Sequence, residues 1–194
     1  MRELVFATNN QYKVEEVSNL LSGQYKVLSL KDIGCDEDIP ETGSTFAENA
    51  ALKSKYVFEH FSLNCFGDDS GLQIDALNDE PGIFSARYSG SRNDKENLDF
   101  VLQKMLGVSN RNARFTTVIC LYQGGQNYFF EGSVEGTIRA VPVGDKGFGY
   151  DPIFQPNEYS ITFAEMTTAQ KNEISHRAIA MKKLIVFLVG QSSS

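Results

Sequence analysis

The chain has little that binds zinc, spans a membrane or grips nucleic acid. Its three cysteines, Cys35, Cys65 and Cys120, are far apart and odd in number. No CxxC or zinc spacing appears, so they are read as reduced thiols in a cytosolic protein. No run of 18 apolar residues occurs, which excludes a membrane-spanning helix. The longest apolar stretch, "LIVFLV" at 184–189, reads as the buried end of a last helix. In "MRELVFATNN" charge lies too close to a very short apolar run for a signal peptide. Basic residues are outnumbered, 18 against 25 acidic, for a net charge of −7. That argues against a nucleic-acid polyanion as the main partner, but not against a small anion in a local basic pocket. No internal repeat, no low-complexity block and no GxxxxGK[ST] phosphate loop is visible.

What remains is an ordinary globular mix, 41% apolar and 22% charged in 194 residues, enough for one domain with a substantial core. Residues 3–7 read as a buried strand. Val14, Val17, Leu20 and Leu21 then recur at helical spacing, with Gly23 able to close the helix. A short strand is expected near 25–30. "STFAENAALKSKYVFEHF" reads as a helix opened by a Thr45–Glu48 capping box. Strands are expected at about 64–67 and 72–77. A helix is expected over "RNDKENLDFVLQKMLG", with Leu98, Val101, Leu102 and Met105 inward. Gly124-Gly125 marks a hairpin. A helix of roughly fifteen residues starting near Ser175 ends the chain, before a disordered 191–194 tail. The order predicts an α/β fold with a mixed sheet.

Four polar clusters are read as loops or element ends, where a scaffold concentrates function. In "TNNQYK", Thr8, Asn9 and Asn10 offer short hydrogen-bonding groups at a helix N-terminus. Backbone N–H groups there favour phosphate, and Lys13 lies one turn in. Plain N-capping by Asn9 or Asn10 is the alternative. Glu41 precedes a glycine turn and the helix that carries Lys53. "FGDDSGLQIDAL" sets Asp68 beside Asp69, two like charges between apolar flanks. An Asx-type turn is one reading of the pair, and relief of its repulsion by a bound cation is the other. "FGYDP" and "KNEISHR" bring in Lys171, His176 and Arg177. Mg²⁺ takes one or two carboxylates plus phosphate oxygens. Glu41, Asp68 and Asp69, with Lys13, Lys53, Lys171 and Arg177 as complementary charge, point to metal-assisted phosphate chemistry.

Together these segments resemble the inosine triphosphate pyrophosphatases, the house-cleaning diphosphatases of deaminated purine nucleotides. The matching stretches are "FATNNQYKVEEV", "ETGSTFAENAALKSK", "GDDSGLQIDAL", "PGIFSARYSG", "GFGYDPIFQP" and "AEMTTAQKNEISHRAIAMKKL", in order over nearly the whole chain. Asn172 and Ala178 stand where the family often has Ser and Gly. The resemblance implies an elongated mixed sheet in one two-lobed domain over 1–190 with a central cleft, a cytoplasmic homodimer. It implies Mg²⁺-dependent cleavage of ITP, dITP and XTP to the monophosphate and pyrophosphate, cleansing the nucleotide pool. Thr8, Asn9, Asn10, Gln11, Tyr12 and Lys13 would hold phosphates. Glu41 and Asp69 would serve the metal, with Asp69 also accepting the proton of the attacking water, and Ser70 would touch substrate. Phe148, Gly149, Tyr150, Asp151, Lys171, His176 and Arg177 would frame the base. A nucleotide sensor that binds without cleaving, an interaction protein, and a diphosphatase of pyrimidine or methylated nucleotides are the rival readings.

Overall fold

A computed structural model describes residues 2–21, 23 and 25–191. Six strands form one sheet in the order β2-β1-β3-β4-β5-β6. They are β1 (Arg2–Phe6), β2 (Tyr25–Leu28), β3 (Cys65–Ile74), β4 (Asn112–Gln123), β5 (Gln126–Ile138) and β6 (Phe154–Pro156). β1 runs parallel to both β2 and β3, and β5 is antiparallel to β6, so the sheet is mixed as expected. The helices are α1 (Gln11–Leu20), α2 (Phe46–Phe61), α3 (Asp94–Lys104), α4 (Thr168–Ile174) and α5 (His176–Gln191). Gln191 closes α5, and the rest of the expected disordered tail, 192–194, lies outside the described residues. The three cysteines are buried free thiols. Among the described residues no helix is long and apolar enough to cross a membrane.

The chain divides into two compact units. Unit 1 holds the residues up to Asp69, Thr117–Gly132 and the chain from Arg177 onward. Unit 2 holds Ser70–Thr116 and Ser133–His176.

In unit 1 the alternation of side chains along a strand sorts the core into two layers. Leu4, Phe6 and Phe66 pack with Val17 of α1, Leu21 just after it, and Ala180, Met181 and Leu184 of α5. Phe6 and Phe66 stack at 4.5 Å between ring centroids. Val5, Ala7 and Cys65 pack instead with Val57 of α2. In unit 2, Leu72 and Ile74 pack with Leu98 and Val101 of α3, with Met105 just after it, and with Phe115, Phe154 and Phe163. Gly124 and Gly125, at φ +58° and +80°, make the two-residue connection from β4 to β5 that the sequence marks as a hairpin turn.

Two expectations need correction. The two strands expected around 64–67 and 72–77 are one strand, β3, which runs unbroken through Asp68, Asp69, Ser70 and Gly71. This strand is buried along most of its length, so the aspartates sit inside the ladder and not in a turn. At α2, Thr45 Oγ1 accepts the Glu48 N–H at 3.1 Å. The Glu48 carboxylate, however, reaches past Thr45 to the N–H and hydroxyl of Ser44. The reciprocal capping box is found on α4 instead, between Thr167 and Gln170.

Gly67 is where β3 and α2 come closest. A Cβ at this position would lie 2.5 Å from the carbonyl oxygen of Ala50 and 2.9 Å from Lys53 Cβ. Backbone cannot yield that much, so Gly67→Ala is expected to lower stability by about 1–3 kcal/mol, the usual cost of overpacking. A urea titration checks this, and an unchanged midpoint would contradict the close approach.

Candidate functional site

Unit 1 gathers the first polar cluster. Asn10 caps α1, its Oδ1 accepting the Lys13 N–H at 3.3 Å, and its own N–H donates to Thr8 Oγ1. Asn9 Oδ1 accepts the Lys31 N–H at 3.0 Å. The N-capping alternative is therefore realised by Asn10, while Asn9 ties the loop to the turn after β2. Asn9, Asn10, Gln11 and Tyr12 are exposed and Thr8 half-buried, so the N-terminus of α1 faces solvent and can receive an anion.

Successive side chains on a strand point to opposite faces, and this separates the two aspartates. Asp68 lies on the α1 and α5 side. Its Oδ1 accepts from Lys13 Nζ at 2.8 Å, and its Oδ2 from Nε and Nη2 of Arg177, each at 3.3 Å. Arg177, only 2% exposed, also donates to Glu16 through Nη1. Asp69 lies on the α2 side, where its Oδ2 accepts from Asn49 Nδ2 at 2.9 Å. Lys53 Nζ donates to the backbone carbonyl of Asp68 at 2.8 Å and pairs with Glu41. The repulsion that a neighbouring pair would suffer is thus met by geometry and by the protein's own cations.

The environments push the two carboxyls apart. Burial alone would raise Asp68, but the cations Lys13, Arg177 and Lys53 hold it well below the usual carboxylate range. Burial does raise Asp69; Glu41 adds to the rise, while Lys53 and the Asn49 amide oppose it. Burial works against the charge of Lys53, yet Asp68, Glu41 and Asp69 together keep its pKa raised.

Unit 2 gathers the second cluster. Asp151, buried, takes Lys171 Nζ at 2.7 Å and the Phe148 N–H at 2.9 Å on Oδ2. Lys171 Nζ lies 5.0 Å from the centroid of the half-buried Phe148 ring, a cation–π distance. Gly147 makes this turn possible: at φ +72°, a Cβ there would fall 2.0 Å from Asp151 Oδ2. The Gly149 N–H donates to Asp94 Oδ2 at 3.0 Å. His176 is buried and stacks on Phe115 at 4.7 Å. Ser70, the first residue of unit 2, is half-buried on β3.

The structure therefore brings Thr8 to Lys13, Glu41, Lys53, Asp68, Asp69 and Arg177 into one unit, and Phe148, Gly149, Asp151, Lys171 and His176 into the other. Two more of the residues that the resemblance assigns to the base are buried. Arg177, which the resemblance assigns to the base, has its guanidinium buried against Glu16 and Asp68 of unit 1. Tyr150, also assigned to the base, is 5% exposed and belongs to the unit 2 core, where its hydroxyl donates to the Ser85 carbonyl at 2.7 Å. Sequence reading missed Glu16, Asn49 and Asp94. Glu16 had a signal, since it follows Lys13 by one helical turn on a face shared with apolar Val17.

The Ham1 family pattern matches residues 4–187. A dITP/XTP pyrophosphatase of Flavobacterium psychrophilum is 48% identical over 95% of this chain and 98% of the relative. One from Porphyromonas gingivalis is 45% identical over 97% and 98%. Among solved structures, the Staphylococcus aureus Ham1 protein superposes with a TM-score of 0.88 at 40% identity, covering 98% of this chain and all of that one. A Mycobacterium abscessus nucleoside-triphosphatase / dITP/XTP pyrophosphatase gives a TM-score of 0.76 at 38% identity, over 94% of this chain and 98% of that one. A match over nearly the full length, with the polar clusters inside it, shows that the chain belongs to the Ham1 family.

Proposed function

We infer that this chain hydrolyses deaminated purine nucleoside triphosphates, dITP, XTP and ITP, to the monophosphate and pyrophosphate. The observation that carries the reading is the unit 1 cluster: a buried Asp69 beside Glu41 and Lys53, with Lys13 at the start of α1, in a chain so similar to proteins named dITP/XTP pyrophosphatase.

Lys13 and the N-terminus of α1 bind the phosphates. Asp68, already matched by Lys13 and Arg177, serves to hold those cations, and this replaces the metal role expected for it. Asp69 takes the proton of the attacking water, a task suited to a buried carboxylate whose pKa burial raises. The water oxygen bonds to phosphorus, the α–β anhydride breaks, and pyrophosphate leaves.

Glu41 and Asp69 offer hard oxygen donors, which fits Mg²⁺. Among the described residues no three acidic, histidine or cysteine side chains gather as a ready-made cage. Phosphate oxygens and water would complete the shell, as Mg²⁺ prefers. Such an ion, when bound, neutralises phosphate charge and acidifies water.

In unit 2, Phe148 offers a ring for stacking. Lys171, which can only donate hydrogen bonds, suits the 6-keto oxygen of hypoxanthine or xanthine and not the 6-amino group of adenine. Homodimer formation belongs to the same reading and rests on the resemblance, and cytoplasmic residence rests on the reading of the three cysteines as reduced thiols.

A nucleotide panel tests the proposal. Pyrophosphate release from dITP, XTP and ITP, with little from dATP or dGTP, is expected. Binding without turnover would favour the sensor, and preference for a pyrimidine or methylated nucleotide would favour the related diphosphatases. Lys13→Ala is expected to raise KM for dITP by about 10–100-fold, the worth of a charged hydrogen bond of roughly 1.5–3 kcal/mol, with kcat little changed. Initial rates against dITP concentration check this, and a fall in kcat at constant KM would contradict uniform phosphate binding.

A further inference from the structure

We propose that Asn49 is a positioning residue of this reaction, fixing the Asp69 carboxylate and the Glu41–Gly43 turn against each other. The proposal rests on the function inferred above.

Asn49 lies in the first turns of α2 and is 0% exposed. A buried amide on a helix is costly unless both of its ends are satisfied. Both are. Nδ2 donates to Asp69 Oδ2 at 2.9 Å, and Oδ1 accepts the Gly43 N–H at 2.8 Å. These partners fix which end of the amide is which, because a backbone N–H only donates and an ionised carboxylate only accepts. The one side chain therefore couples β3 to the turn that bears Glu41.

The frame around it is rigid. A Cβ at Gly43 would lie 2.8 Å from Asn49 Oδ1 and 2.6 Å from Glu48 Cβ, so the turn reaches the amide only because residue 43 is glycine. Thr45 caps α2 just before Asn49. Just after it, Ala50 and Lys53 press on β3 at Gly67, and Lys53 Nζ holds the Asp68 carbonyl. Helix and strand are thus clamped on both sides of the Asn49–Asp69 bond, and the amide sets the plane of the carboxylate.

A leucine or alanine would satisfy α2 packing with no desolvation cost. The amide is what a strand-borne carboxylate needs in order to keep one orientation while its charge is used.

The test is a double-mutant cycle on dITP hydrolysis using Asn49→Ala, Asn49→Asp and Asp69→Asn, each confirmed folded by circular dichroism and thermal melting. Asn49→Asp keeps the acceptor for Gly43 but sets a carboxylate against Asp69, and it carries the test if the alanine variant does not fold. Both Asn49 variants are expected to lose about 10–100-fold in kcat, as for other residues that orient a reacting group, with KM nearly unchanged. In the Asp69→Asn background the same replacements should then have little further effect. A merely structural role would lower the melting temperature, leave kcat per folded molecule intact and give equal losses in both backgrounds; any of the last two overturns the proposal. An inactive wild type would overturn the inferred function instead, so the two failures are distinguishable.

Discussion

Asp69→Asn is expected to lower kcat for dITP by about 10²–10⁴-fold, the usual worth of a general base. The substitution preserves shape and leaves an oxygen that can still accept from Asn49. Its neighbours on β3 are untouched, and the strand is held from both sides by α1, α2 and α5 side chains. Thermal melting should therefore stay close to wild type, or rise slightly, since a buried carboxylate that burial disfavours has been removed. What the amide lacks is basicity. Single-turnover rates with dITP, measured alongside the melt, separate chemistry from folding. Wild-type kcat in a folded Asp69→Asn variant would remove Asp69 from the reaction and leave the unit 1 cluster without a proton acceptor.

Arg177→Met is expected to cost about 3–5 kcal/mol of stability, the penalty for breaking a buried ion network by deleting one partner. Methionine fills part of the volume, but Asp68 and Glu16 then share a buried region with one cation fewer. Asp68 keeps Lys13 and the nearby Lys53 against its charge, and Glu16 loses its ion pair with Arg177. Arg177→Lys should lose less, because charge is retained while the fork onto Asp68 is not. Urea unfolding of the three proteins decides it. A loss below about 1 kcal/mol, the level of an exposed pair, would contradict the buried network. Intact stability with only a changed dITP-to-dATP ratio would return Arg177 to the base-reading role that the sequence suggested.

The difference between those two roles shows what can be read from a chain and what cannot. Amphipathic helices were legible because their information is local: Val17 and Leu21 on and just after α1, and Leu98, Val101 and Met105 on and after α3, recur at the period of the helix and are buried as that period requires. The β4–β5 turn was legible because Gly124-Gly125 permits positive φ at both positions. The stretch around Asp68 was not. Two adjacent charges look like a break between strands, and only partners far away make them a buried strand. Lys13 is 55 residues from Asp68 and Arg177 is 109. No local pattern carries that pairing.

The same holds within the site. The residue types for phosphate chemistry, Lys13, Glu41, Lys53 and Asp69, could be picked out by charge and by position beside turns. The division of labour between Asp68 and Asp69 could not, because it follows from strand pleat and from which helix covers which face. Asn49 gave no signal at all: an asparagine near a helix start is common, and only its burial between Gly43 and Asp69 makes it notable. Tyr150 was no more legible: an aromatic residue in a glycine-rich loop gives no local sign that it is buried in the unit 2 core.

The central claim is that this chain breaks the anhydride between the α and β phosphates of a deaminated purine nucleotide. Phosphorus NMR of a dITP reaction with the wild-type protein and Mg²⁺ tests it directly. Equimolar dIMP and pyrophosphate, with no diphosphate intermediate, is the expected result. Formation of dIDP and inorganic phosphate, or resonances of dITP that persist unchanged, would contradict it.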